Sequence, residues 1–130
     1  MPATQRFSNW MPNVFTDDVA RALDFYRDVL GFQETFRFPE EGRPLHVELR
    51  LGGSVLAISH GGEVVEMGLP APIWGSHHEL VLWCRDVDGT VGELRDAGVP
   101  ILVEPFQHVA GHRRAYAADP DGNWLALVGG

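Results

Sequence analysis

Three residues that could do chemistry stand in one short run, LHVELRL. Strict alternation sends Val47, Leu49 and Leu51 to one face of a strand and His46, Glu48 and Arg50 to the other. An imidazole, a carboxylate and a guanidinium on one face suit ligand binding or proton transfer. His46 reads as a hydrogen-bonded histidine rather than a metal ligand, because no second His or Cys stands two residues away. The other five histidines, His60, His77, His78, His108 and His112, fall at strand ends or in loops and read as solvated. Ser59 alternates toward the same side as His46, but spacing reveals no His and Asp partner, so no nucleophile is assigned to it. Cys84 ends the apolar run LVLWC and reads as a buried, inert thiol; a single cysteine closes no intramolecular disulfide.

These side chains must be held by repeated elements, and the chain repeats itself. DVARALDFYRDVLGF from Asp18 and DVDGTVGELRDAGVP from Asp86 align at an offset of 68, with Asp18/Asp86, Val19/Val87, Leu23/Val91, Arg27/Arg95 and Asp28/Asp96 in register. Both spacings predict helices opened by an Asp N-cap. The first buries Ala22, Phe25, Tyr26 and Val29, the second Val87, Val91 and Leu94. GGSVLAI at 52–58 matches DGNWLAL at 121–127 at an offset of 69. Strands are expected at WMPNVF, ETFRF, LHVELRL and SVLAIS in the first copy, and at HELVLWC, PILVEPF, HRRAYAA and NWLALV in the second. The expectation is therefore one α+β domain over 1–130, made of two βαβββ repeats, 8–60 and 77–130. A connector over 61–76 joins them, and their curved mixed sheets line a cleft.

Composition narrows the function classes. At 130 residues and 45% hydrophobic, the chain is long enough for a core without disulfide staples. Its apolar runs are only a few residues long and its first ten residues lack a basic stretch followed by an apolar one. No membrane span or secretory signal is expected, which points to the cytoplasm. A net charge of −8 disfavours nucleic acid and anionic membrane as partners and would help to attract a cation.

DDVARALDFYRDVLGF, RDVDGTVGELRDAGV and YAADPDGNWLALV resemble the vicinal oxygen chelate superfamily. It contains glyoxalase I, extradiol dioxygenases, fosfomycin-resistance enzymes and antibiotic-binding proteins of the bleomycin-resistance type. In its metal-dependent members, one residue from the first strand and one from the fourth strand of each unit hold the ion, commonly His and Glu. The resemblance carries those four positions onto Met11, Ala57, Glu79 and Ala126. Methyl groups donate no lone pair and a thioether is soft, which leaves Glu79 as the only ordinary ligand. His78 would join it only through a one-residue slip or a bulge.

Alternation spread from those positions lines the expected cleft with Met11, Asn13, Phe15, His46, Glu48, Arg50, Ala57, Ser59, Glu79, Val81, Trp83, Arg85, Trp124, Ala126 and Val128. Trp10 and Trp74 would stand at its rim. The two inward tryptophans and the carboxylates suit a planar or cationic guest. The resemblance to the metal-free, antibiotic-binding members implies a homodimer that sequesters a small antibiotic-like compound, with no cofactor, no metal and no catalytic residue. Two enzymatic alternatives stay open: a metal-free lyase or isomerase with Glu79 as general base, and a metalloenzyme with a rearranged set of His46, Glu48 and Glu79.

Overall fold

The structure, a computed structural model, describes residue 6 and residues 9–73 and 78–130. The chain divides into two compact units, 1–71 and 72–130. In the first, β1 (Asn13–Thr16) leads into α1 (Val19–Asp24), followed by β2 (Gln33–Phe38), β3 (His46–Leu51), β4 (Ser54–His60) and α2 (Gly61–Glu66). In the second, β5 (Glu79–Cys84) leads into α3 (Val87–Asp96), then β6 (Ile101–Gln107), β7 (Arg113–Ala118) and β8 (Trp124–Gly129). The sheets run β1-β4-β3-β2 and β5-β8-β7-β6, with the β1–β4 and β5–β8 pairs parallel and the rest antiparallel. These are the two βαβββ repeats expected, in an α+β fold.

α1 and α3 start where the sequence places them. The Asp18 carboxylate accepts from the Arg21 N–H at 3.1 Å, and the Asp86 carboxylate from the Gly89 N–H at 3.0 Å. Val87, Val91 and Leu94 are buried on α3. The first helix departs from its expected stripe. Ala22, Phe25 and Tyr26 are buried but Val29 is 39% exposed. Residues Phe25–Val29 form a wider π-helical turn, whose extra residue per turn rotates Val29 off the face that Ala22 begins. Leu51 is also exposed, because β3 ends there and outruns the helix that covers Val47 and Leu49. The segment expected to be pure connector opens with α2. The His60 ring begins that helix as Nδ1 accepts from the Gly62 N–H at 3.0 Å, so His60 is a cap rather than a solvated side chain.

Register fixes what shares a face. Val47, Leu49, Leu56 and Ile58 lie on the helix side of the first sheet and Leu125, Leu127, Ala115 and Ala117 on that of the second, all buried. The opposite faces carry the polar and aromatic residues. The DPDG turn before β8 is built on Asp119. Its Oδ1 accepts from the Asp121 and Asn123 N–H groups at 2.9 and 2.7 Å, and its Oδ2 accepts from Asn123 Nδ2 at 2.7 Å. Gly122 completes the turn at φ +83°, a conformation a side chain resists.

Candidate functional site

The second unit presents the aromatic face. Across β5–β8, Glu79 stands opposite Trp124, Val81 opposite Ala126 and Trp83 opposite Val128; across β7–β8, Tyr116 stands opposite Ala126 and Arg114 opposite Val128. Because side chains alternate along each strand, all of these share the face that α3 does not cover. Trp83 is 78% exposed and Trp124 47% exposed there, whereas Ala126 is fully buried between its neighbours.

Ala126 leaves room for a contact that crosses a strand. Arg114 is on β7 and Glu79 on β5, two strand spacings apart across the sheet, and opposite Val128 and Trp124 they are also offset along β8. Arg114 Nη1 nevertheless reaches to 3.8 Å from Glu79 Oε1, passing over β8 where its side chain is a single methyl group. On the way Nη1 donates to Tyr116 Oη at 2.9 Å, and Nε donates to His112 Nε2 at 3.3 Å. Glu79 is one-third exposed and faces a guanidinium, so it is not the carboxylate desolvated between two indoles that a general base requires.

The first unit carries a polar chain on the equivalent face. Asn13 stands opposite Ala57 and Phe15 opposite Ser59, while His46 pairs with Ser59 and Glu48 with Ala57. Ser59 Oγ lies 2.9 Å from Asn13 Oδ1 and 2.7 Å from His46 Nδ1, and His46 Nε2 lies 2.9 Å from Glu48 Oε2. Spacing alone reveals no partner for Ser59; strand register supplies His46, with Glu48 behind it. Arg50, two residues on, donates instead to Gln33 Oε1 at 3.0 Å. Phe36 and Phe38 flank the chain from β2, opposite Glu48 and His46, and the Phe36 ring meets the His46 ring edge-on at 6.0 Å. The polar positions repeat between units: Arg114 and Tyr116 stand where His46 and Glu48 stand, 68 residues on.

The remaining expectations sort by geometry. Met11 precedes β1 and is exposed, and Trp10 is 85% exposed ahead of it, because β1 begins only at Asn13. Arg85 follows the end of β5 and is exposed. His78 precedes β5 and is exposed too. Trp74 and His77 lie outside the described residues. His108 and His112 are not simply solvated, since their rings stack at 4.7 Å with planes 9° apart. Sequence reasoning missed Arg114, Tyr116, Phe36 and Phe38, whose placement depends on strand register. One signal was available for the first unit. Gly52–Gly53 between two alternating runs marks a two-residue hairpin, and counting back from it sets His46 opposite Ser59.

At the four positions to which the resemblance assigns metal ligands, the chain has an exposed thioether at Met11, buried methyl groups at Ala57 and Ala126, and a carboxylate already facing Arg114. This donor set does not fit a divalent ion. Among the described residues no three His, Cys, Asp or Glu side chains gather as a ligand set.

A family model described as Glyoxalase/Bleomycin resistance protein/Dioxygenase superfamily matches residues 9–127. The chain belongs to that superfamily. An uncharacterized protein of Mycobacterium bovis is 27% identical over 123 residues, covering 89% of this chain and 79% of its own. The crystal structure of a superfamily member from Sphaerobacter thermophilus superposes with a TM-score of 0.75 at 27% identity, covering 92% of this chain and 94% of that one. Lactoylglutathione lyase from Agrobacterium tumefaciens superposes with a TM-score of 0.72 at 20% identity, covering 95% of this chain and 93% of that one, a likeness of fold alone. Within the superfamily, activity must be argued from the site rather than the fold.

Proposed function

We propose that this chain is a metal-free small-molecule binding protein that sequesters a planar aromatic or cationic antibiotic-like compound. The observation that carries it is the pair of exposed indoles, Trp83 and Trp124, on the one sheet face that also bears Glu79 and Arg114. Burying such rings against a flat guest stabilises the complex by about 0.5–1.5 kcal/mol per ring beyond the area covered. Arg114 partly compensates Glu79, which favours the planar guest over the strongly cationic one. Sequestration needs no catalytic group, and a twofold dimer with two equivalent sites would bind two guests.

Tryptophan fluorescence titrated with planar quinoline chromophores, mitomycin-like quinones and bleomycin-like glycopeptides tests this. Quenching or a spectral shift is expected with at least one class, and Trp124→Ala should weaken that binding by about tenfold, the equivalent of one lost ring contact. An unchanged signal across the panel would overturn it. Stoichiometric retention of nickel, zinc, iron or manganese after desalting would overturn its metal-free part.

A further inference from the structure

We infer that Ser59 is an activated nucleophile. Asn13, Ser59, His46 and Glu48 form an acyl-transfer site in the first unit, which would take small esters with an aromatic leaving group or acyl part. The inference is independent of the binding reading, which rests on residues of the second unit.

The hydrogen-bond chain sets the roles. Glu48 only accepts, so His46 Nε2 carries a proton and donates it across 2.9 Å. What remains is how Nδ1 and the Ser59 hydroxyl share the 2.7 Å contact. With the Asn13 amide oxygen toward Ser59, the hydroxyl donates to it at 2.9 Å, and the chain is satisfied only if Nδ1 also carries a proton. Half a turn of the Asn13 amide presents Nδ2–H to Ser59 instead, and the hydroxyl then donates to the bare Nδ1 of a neutral ring. The second arrangement is one proton poorer than the first. It is the working arrangement of a nucleophile, its base and the acid that orients the base, with the imidazole turned end for end relative to the familiar serine hydrolases.

Each part of the reaction has a group in place. Ser59 Oγ bonds to the ester carbonyl carbon while its proton passes to His46 Nδ1. The carbonyl oxygen becomes an oxyanion beside Oγ; the Asn13 amide, whose Oδ1 accepts from Oγ at 2.9 Å, offers a side-chain donor there once it has turned. Collapse breaks the bond from carbonyl carbon to alkoxy oxygen, and the alcohol leaves with the proton from His46. Water then adds to the acyl-Ser59 carbon, giving its proton to Nδ1. The carboxylic acid departs as Ser59 Oγ takes that proton back. Phe15, Phe36 and Phe38 lie on the same face, the latter two half-exposed, and supply the apolar surface that selects an aromatic group. Ser59 itself is 5% exposed, screened from bulk water, and its register places it on that face.

The test is covalent capture on the full chain. A fluorophosphonate probe is expected to add one equivalent to the intact mass, mapping by peptide analysis to Ser59. p-Nitrophenyl acetate should give a burst of about one equivalent of p-nitrophenolate before a slower steady rate. His46→Gln should slow both by about 100-fold or more, and Glu48→Gln by about tenfold, with circular dichroism unchanged. Ser59→Ala should abolish both, and if that variant fails to fold, the mapped position of the adduct in the parent chain decides. No adduct at Ser59, or a His46→Gln variant that labels as fast as the parent, would overturn the inference. A chain that is only structural would leave Ser59 inert in all of these.

Discussion

His112 shows how much a single residue's chemistry depends on its neighbours. Its ring stacks on His108, and its Nε2 accepts from Arg114 Nε, a contact that requires an unprotonated nitrogen. Desolvation, with the charges of His108 and Arg114 behind it, holds His112 below the ordinary imidazole value of 6.5. The unfolded chain therefore binds a proton that the folded one refuses. Stability falls as pH drops through the unfolded value and levels off below the folded one. In His112→Asn that slope is removed, so melting temperatures followed from about pH 8 to pH 5 should show the parent losing ground to the variant below about 6.5. Parallel curves would show that His112 is not linked to folding. Little of this was legible in the sequence. Alternation gave His46, Glu48 and Ser59 a common face, but the stacking of His108 on His112 belongs to the shape of a hairpin, and the reach of Arg114 to the small side chain at Ala126.

At the scale of elements, closeness of backbone decides which substitutions are tolerated. A Cβ built on Gly129 would lie 1.8 Å from the Cys84 carbonyl oxygen, where β8 runs beside β5. Gly129→Ala must push the two strands apart, at a cost of about 3 kcal/mol, seen as an earlier urea midpoint. Gly92 on α3 has nothing within 4 Å of the same construction. Gly92→Ala should raise stability by about 0.5–1 kcal/mol, since it only restricts the unfolded chain and favours helix. Opposite signs from the same chemical change are the check. The central strands β3 and β8 and the helices opened by Asp18 and Asp86 were legible because each has one apolar side with a clear period. The exceptions follow from events that period does not encode: the π-helical turn that displaces Val29, and the helix at Gly61–Glu66, too short and too rich in glycine to show an amphipathic pattern.

For the whole molecule, the repeat carried the fold. An offset of 68 aligns the helices in sequence and, in the structure, also aligns His46 with Arg114 and Glu48 with Tyr116. The same duplicated scaffold thus displays a proton-carrying chain in one unit and a guanidinium among aromatic rings in the other. Which positions hold donors in a duplicated fold was readable as soon as the copies were aligned. What those donors touch was not, because contacts across strands need register and register needs turns. No described helix is long and apolar enough to cross a bilayer.

The strand order β1-β4-β3-β2 has a consequence for the path by which the first unit forms. β2, β3 and β4 are joined by short connections and can zip in sequence, whereas β1, among the described residues, pairs with β4 alone and must wait for a partner 44 residues away, as Asn13 and Ala57 show. A four-residue ribbon added last is the first to let go. Deuterium should therefore enter the amides of Val14 to Thr16 sooner than those at the centre of β3, with Asn13 swinging away from Ser59 whenever it does.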